Sequence, residues 1–518
     1  MIELVHNNSK TLKKVFRDGK EISGLSQDII ENFWSLAKMY PEDWIFWIDQ
    51  RYYDQFNRNE IDSIFHHDLI MASFPVATQF FSDAIGYIDQ LPFVNPSYEV
   101  KYPGWRMSTD MGGIKGQSAL KFYKDFHEIS NFGYLLNCMA KVGQQNGLFC
   151  YTNPNLIKNG HNNIKLTYKA SDIELFQFVY QHYKTIWVFI LFFCFLKYES
   201  KFPFFALLKS FFHIKYFKKE IDLSGITIDS AKSFKEDKSV DVIIPTMGRA
   251  QYLKQVLTDL AQQTHLPQKV IVVEQNPMPD SETQLEYIEA EEWPFEIVHY
   301  FTHKTGACMA RNMALDRVTS KWVFLADDDI RISKNVIENA LSEIFRIGSL
   351  ALNINCVQKK EETTFTKMKQ WGAFGSGTTI LNSKLAQSCK FDEALEYGYG
   401  EDTDFGLQLR ARGVDVIYHP EIKITHLKAD RGGFRSVIKL AWEDEPELPK
   451  PSPTMMFLIK KHYSEEMIKG YKVALFLKFY RRQSINNPFT YIRTMRRRWQ
   501  LSEHWAEKLE TLALNQDD

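Results

Sequence analysis

The chain is poor in cysteine. Of its 518 residues only Cys138, Cys150, Cys194, Cys308, Cys356 and Cys389 are thiols, and no two form a CxxC pair or another metal-ligand spacing. That excludes a disulfide-stapled scaffold and a thiolate zinc site, and leaves reduced thiols in a cytoplasmic protein as the expectation. It also lacks charge of one sign. Lys and Arg number 63 against 64 Asp and Glu, so no global field recruits nucleic acid. The opening MIELVHNNSKTLKK has no apolar core, so export by a standard signal is not expected. A membrane span is missing too: the run IWVFILFFCFL, Ile186 to Leu196, has 11 residues, whereas a spanning helix needs about 20.

That run is nevertheless unusual. Lys197, Glu199 and Lys201 follow it, FPFFALLKSFF continues the aromatic character to Phe212, and Lys215, Lys218 and Lys219 come next. It reads either as a buried core helix or as a helix lying in the membrane interface, with aromatics down and lysines at the headgroups. A second segment invites the same question. Between Lys469 and Arg498 there are nine Lys or Arg and no acid, interleaved with Val473, Leu475, Phe476, Leu477, Phe479 and Tyr480. It suits anionic lipid, or a helical pair with a solvated basic face.

With 44% apolar residues the chain can bury substantial cores. The expected domains are 1–170, a mix of aromatic strands and Asn/Gly-rich loops; 171–238, an aromatic helical connector ending in the polar linker SAKSFKEDKS (230–239); 239–440; and a helical, basic tail, 441–518. From Val240 short β-branched runs alternate with helical segments, the pattern of a mainly parallel sheet. VDVIIP (240–245), KVIVVE (269–274), WVFLA (322–326) and DVIYHP (415–420) read as strands, with a helix around Gln251 to Gln263.

Chemistry gathers where these strands end, as it does in open α/β sheets. WVFLA runs into Asp327, Asp328 and Asp329. Three adjacent carboxylates repel one another and persist only when solvated or neutralised, and hard oxygens suit Mg²⁺ or Mn²⁺. GEDTDFGLQLRARG (400–413) places Glu401 and Asp402 at a helix start, where cap chemistry alone also favours acids. His426 follows in KITHLKADRGG; a lone histidine is more often structural than a ligand.

In order and spacing, VIIPTMGR (242–249), VIVVEQ (270–275), GACMARN (306–312), FLADDD (324–329), GSGTTIL (375–381), GEDTDFGLQLRARG and VIYHPEIKITH (416–426) resemble the family 2 glycosyltransferases of GT-A fold. The resemblance implies a Rossmann-like α/β domain that uses a nucleotide sugar, a UDP- or dTDP-sugar, and transfers to a glycan or lipid-linked glycan. It implies that Pro245, Thr246, Arg249, Glu274, Arg311, Asp327, Asp328 and Gly377 bind the donor. Asp328, Asp329 and His426 would hold Mn²⁺ or Mg²⁺, and Asp402 would be the general base, with Glu401 orienting the acceptor. One base and one displacement would invert the anomeric carbon. The chain departs from the family at Glu274–Gln275, usually an aspartate pair; at Met247, often aromatic; and at Ala326, often Asp. A catalytically inactive carbohydrate-binding scaffold and a GT-A-like nucleotidyltransferase are the alternatives. The second lacks a Gly-rich, Arg/Lys-bearing loop after strand one.

The N-terminal part resembles a truncated, degenerate copy of the same domain. WIFWIDQR (44–51) aligns with WVFLADDD (322–329), WRMSTDMGGI (105–114) with WGAFGSGTTI (371–380), and residues 128–157 with 401–424. Asp49 then faces Asp327, with Gln50 and Arg51 in place of the next two acids. Ile129 stands where Asp402 does, and Asn131 where Asp404 does. No counterpart of the first nucleotide-binding strands is expected. This half is expected to be non-catalytic and to support the second structurally or by holding acceptor, with Trp44, Trp47 and Trp105 lining a glycan groove or packing a core.

Overall fold

A computed structural model of the chain describes residues 1–158, 165–232, 237–358, 363–429 and 439–514. Residues 233–236 of the expected linker lie outside these. The chain divides into two compact units. The first comprises Met1–Ser233, Arg346–Gly348 and Tyr463–Leu477, and the second comprises Phe234–Phe345, Ser349–His462 and Lys478–Asp518. The aromatic stretch after residue 171 therefore belongs to the first unit, and the C-terminal region is shared between the two.

The second unit is built on a mixed, mostly parallel sheet. Its strand order is Glu296–Thr302, Lys269–Gln275, Val240–Thr246, Trp322–Ala326, Thr378–Asn382, Ala351–Gln358, Ile417–His426, Ile330–Ile332. The first four are parallel neighbours; Thr378–Asn382 then runs antiparallel to both Trp322–Ala326 and Ala351–Gln358. Val240–Thr246 and Trp322–Ala326 are buried almost throughout, as expected of strands covered on both faces. The helix Ala250–Ala261 turns Leu253, Val256, Leu257 and Leu260 inward, the i, i+3, i+4, i+7 stripe of a helix packed on a sheet. The chain reverses direction beyond Ala326, and that places the acids of 327–329 at the carboxyl edge of the sheet.

The first unit repeats this plan. Ile2–Asn7 is parallel to Trp44–Asp49, which is antiparallel to Met111–Lys115, then Ile70–Phe74 antiparallel and Phe149–Thr152 parallel. The same succession runs from Val240–Thr246 to Ile417–His426 in the second unit. The aligned segments at 44–51 and 105–114 thus fall on corresponding strands. One expectation is corrected: a counterpart of the first strand exists, Ile2–Asn7. Its outer neighbour, however, is the antiparallel hairpin strand Thr11–Arg17, where the second unit has parallel strands.

Further differences explain the degeneracy. The helix matching Glu401–Ala411 is Phe132–Asn146, capped by Asn131, whose side chain accepts the Tyr134 N–H. Relative to the shared Phe-Gly pair it starts a full turn late, so the turn that carries Glu401 and Asp402 has no helical equivalent. Gly112 and Gly113 are strand residues rather than turn glycines. A Cβ there would lie 2.4 Å from the Trp47 ring and 2.5 Å from the Phe46 ring, so only glycine lets those rings lie flat on the sheet. Trp47 and Trp105 are fully buried, and Trp105 stacks on Phe178 at 5.2 Å. They pack a core and cannot face a sugar.

Asp49 is spent on structure as well. Its carboxylate accepts both Nε and a terminal N–H of Arg51, each at 2.9 Å, and is 1% exposed. Asp49→Ala should lower the melting temperature, because it removes the buried acceptor of the Arg51 backbone N–H and of its half-exposed guanidinium. Thermal melting followed by circular dichroism checks this, and an unchanged melting temperature would show that the pair adds nothing to stability.

Candidate active site

At the carboxyl edge of the second unit's sheet lies a cleft of about 440 Å³. It gathers Pro245, Thr246 and Arg249 from the end of strand Val240–Thr246 and its loop; Arg311 from helix Ala307–Leu315; and Asp327, Asp328 and Asp329. Gly377, Glu401, Asp402 and His426 complete the set. Of the residues singled out in the sequence only Glu274 stays outside the lining. Its carboxylate accepts Thr283 Oγ1–H at 2.6 Å, Gln284 N–H at 2.9 Å and His299 Nε2–H at 3.0 Å. Burial raises its pKa, but these donors outweigh that and hold it below the ordinary value. Glu274 therefore pins the loop that follows its strand. Its neighbour Gln275 lines the cleft and accepts the Gly306 N–H.

The three aspartates have different partners. Asp327, a third exposed, pairs with Arg311 at 3.1 Å. Gly377 permits its position, since a Cβ there would come within 2.0 Å of Asp327 Oδ2. Asp328 accepts from Thr246 Oγ1 at 2.7 Å and from Arg249 at 2.6 Å. Burial nonetheless pushes its pKa up to about 6. Asp329 accepts the Ala429 N–H at 3.0 Å and lies 3.1 Å from His426 Nε2 and 3.3 Å from Arg249. These partners outweigh burial and keep Asp329 below the ordinary carboxylate range, while the bond to Asp329 raises His426.

Asp402 sits at the start of helix Glu401–Ala411, after Gly400 (φ 123°), which acts as N-cap. Its pKa is raised by burial, and opposed by Arg311 and by hydrogen bonds from Ser376. Asp402 Oδ1 and Arg311 Nε are buried with no hydrogen-bond partner among the described residues, and such orphans in a native structure call for a reason. Burial and the charge of Asp402 push Glu401 up to about 7.

Two contributors escaped the sequence reading. Glu396 lines the cleft and accepts the backbone N–H of Cys308 and Met309, each at 3.1 Å, at the start of the helix that bears Arg311. Asp404 is fully buried two residues after the expected base. It accepts from His462 Nε2 at 2.6 Å and Lys461 Nζ at 2.9 Å, both at the end of helix Pro453–His462, and from Gln408 at 2.6 Å. These partners hold Asp404 below the ordinary range against burial. The same helix braces the cleft's rim, where the Tyr399 N–H meets Thr454 Oγ1 at 3.3 Å.

A divalent cation suits the cleft's charge. Six carboxyls line it against two guanidiniums and one imidazole, and a diphosphate entering that field needs neutralising. The oxygens of Asp328 and Asp329 with the ring of His426 are an appropriate donor set. They are not drawn round one point, and no group of three metal-binding side chains is assembled among the described residues. The Arg249 guanidinium stands between Asp328 and Asp329, and its one positive charge offsets part of theirs.

Residues 241–395 match the family model described as Glycosyl transferase family 2. No curated protein matches the sequence. Among solved structures, S. aureus TarS 1–349 in complex with UDP-GlcNAc is similar at 18% identity over 53% of this chain and 83% of that one, with a TM-score of 0.37. GalNAc-T7 with UDP, GalNAc and Mn²⁺ is similar at 9% identity over 54% and 59%, with a TM-score of 0.36. The mannosyltransferase PcManGT from Pyrobaculum calidifontis in complex with GDP-Man and Mn²⁺ is similar at 16% identity over 55% and 78%, with a TM-score of 0.30. The family match takes in Thr246, Arg249, Arg311 and all three aspartates and ends before Glu401: residues 241–395 are a glycosyl transferase family 2 domain, and the chain that carries it is a transferase.

Proposed function

We propose that the chain moves a sugar from a nucleotide-diphosphate donor, a UDP- or dTDP-sugar, to a hydroxyl of a glycan, free or lipid-linked, with inversion at the anomeric carbon. The observation that supports this best is Asp402: a buried carboxyl lining the cleft, held by Ser376 through one side and left without a partner at Oδ1. An acceptor hydroxyl is a poor nucleophile at neutral pH. Asp402 Oδ1 takes its proton as the oxygen bonds the anomeric carbon, and the bond from that carbon to the diphosphate breaks on the opposite face. Glu401, with a pKa near 7, can offer the acceptor either a donor or an acceptor of hydrogen bonds. Asp327, steadied by Arg311, and the Pro245–Thr246 edge bind the nucleoside. Arg249 and Arg311 face the negative charge that develops on the leaving group. Mn²⁺ or Mg²⁺, held by Asp328, Asp329 and His426, would supply Lewis-acid neutralisation of the diphosphate when bound. The expected setting is cytoplasmic.

The test is incubation with a panel of nucleotide sugars and Mn²⁺, with and without glycan acceptors. Release of nucleoside diphosphate supports the proposal. Conversion of the nucleotide sugar and added pyrophosphate to a nucleoside triphosphate and a sugar 1-phosphate would point to a nucleotidyltransferase. No turnover and no ligand-induced rise in melting temperature would leave an inactive carbohydrate-binding scaffold.

A further inference from the structure

The first unit carries a surface that its own fold does not explain. Among the described residues the exposed large hydrophobics number 23, and 11 of them fall between Ile186 and Phe217. Phe202 is 71% exposed, Phe205 69%, Phe212 85% and Ile214 72%. They lie on the helices Ile186–Cys194 and Phe204–Ser210 and the turns around them. The inner faces of the same helices are occupied: Val188, Ile190, Leu191, Cys194, Ala206 and Leu207 are buried. The segment is thus apolar on both sides, with one side packed and the other turned to solvent. Scattered apolar side chains on a surface are ordinary; a contiguous cluster marks something that covers it.

The charge around the cluster selects the cover. From Lys184 to Lys219 there are seven lysines and one acid, Glu199. Glu199 is engaged by the Tyr87 hydroxyl at 2.6 Å. Lys184, Lys197, Lys201, Lys209, Lys215 and Lys218 are exposed among the aromatics. Acids of other elements meet two of the seven, Lys201 by Asp172 at 3.7 Å and Lys219 by Asp125 at 2.8 Å, which leaves a rim where lysine predominates and from which an apolar protein face would gain little. A bilayer with anionic headgroups matches both components, with phenylalanines in the acyl boundary and lysine stems reaching the phosphates. No helix among the described residues is long and apolar enough to cross a membrane, so the contact is one of lying on the surface. We propose that Ile186–Phe217 docks the protein on an anionic lipid surface, independently of which sugar the second unit handles.

The experiment is flotation of the full-length protein with vesicles of phosphatidylcholine containing 30% phosphatidylglycerol, and with phosphatidylcholine alone, in low and high salt. The expected result is flotation with the anionic vesicles at low salt, reduced at high salt. The triple variant Phe202→Ser, Phe205→Ser, Phe212→Ser should cut the floated fraction at least tenfold. Its circular dichroism and nucleotide-sugar turnover in solution should be unchanged, because all three side chains are exposed. Failure of the wild type to float would overturn the proposal, as would flotation unaffected by the triple change. So would a wild-type dimer, made monomeric by that change, that never binds vesicles. None of these results depends on transfer activity, so they leave the glycosyltransferase reading separately testable.

Discussion

Asp402→Asn should lower kcat for sugar transfer by roughly 10²-fold or more while leaving donor affinity nearly intact. The amide keeps the shape of the carboxyl and its contact with Ser376, but has no basic oxygen for the acceptor's proton. The pH dependence follows from the same geometry. Burial raises the Asp402 pKa above the ordinary aspartate value, while Arg311 and Ser376 pull it back. On the proposed role the ionised form does the work, so the rate should climb with pH through that raised pKa and fall on the acid side. Arg311→Met removes the main opposing charge and should move the acid limb to higher pH. The residual rate of Asp402→Asn should lose the part of this limb that Asp402 carries, leaving what Asp328 and Glu401 contribute, since their pKa values are raised as well. Wild-type turnover in Asp402→Asn would remove the residue from the mechanism.

The second large effect is expected on removing divalent cations. Six carboxyls already share the cleft, so a diphosphate without a cation meets more repulsion than Arg249 and Arg311 offset. Excess chelator should abolish transfer and weaken donor binding, measured by calorimetry, with both restored by Mn²⁺ or Mg²⁺. Asp328→Ala should raise the Mn²⁺ concentration needed by about 10- to 100-fold, the range seen when even the supporting partners of a metal site are lost. It also releases Thr246 Oγ1 and Arg249 from their acceptor, so donor affinity should fall with it. Full activity in chelator would mean that Arg249, already between Asp328 and Asp329, is the working cation.

The sequence was legible where chemistry and periodicity coincide. The strand Trp322–Ala326 appears with the bounds expected, and the helix after the first strand agrees to within two residues at each end, because unbroken apolar runs and an i, i+3, i+4 stripe have few other uses. The half-buried edge strand Glu296–Thr302 and the strand Ala351–Gln358, interrupted by Asn353 and Asn355, carry no such run and were not evident. Of the site residues, all but Glu274 line one cleft. Glu274 lies outside that lining because a strand-end position does not tell which way a carboxylate turns, and three donors from Thr283, Gln284 and His299 turn this one aside. Glu396 and Asp404 stayed hidden because their partners lie far along the chain. In the first unit the shared strand order was readable from three short alignments, yet the burial of Trp47 and Trp105 was not, since a tryptophan in a core and one beneath a sugar have the same one-letter code.

The grip of His462 and Lys461 on Asp404 also bears on when the enzyme comes to life. Helix Glu401–Ala411 is translated about fifty residues before the two side chains that fasten it, and domains fold from the N-terminus while synthesis proceeds. Until residue 462 has cleared the ribosome, the buried Asp404, two residues after Asp402, is without its Lys461 and His462 partners, and the first turn of that helix lacks this anchor. A nascent chain stalled before this point is expected to bind nucleotide yet leave the sugar bond untouched. On the role proposed for Asp402, translation itself acts as the safety catch: a nucleotide sugar meets that carboxylate in its anchored helix only once the fastening helix has been made.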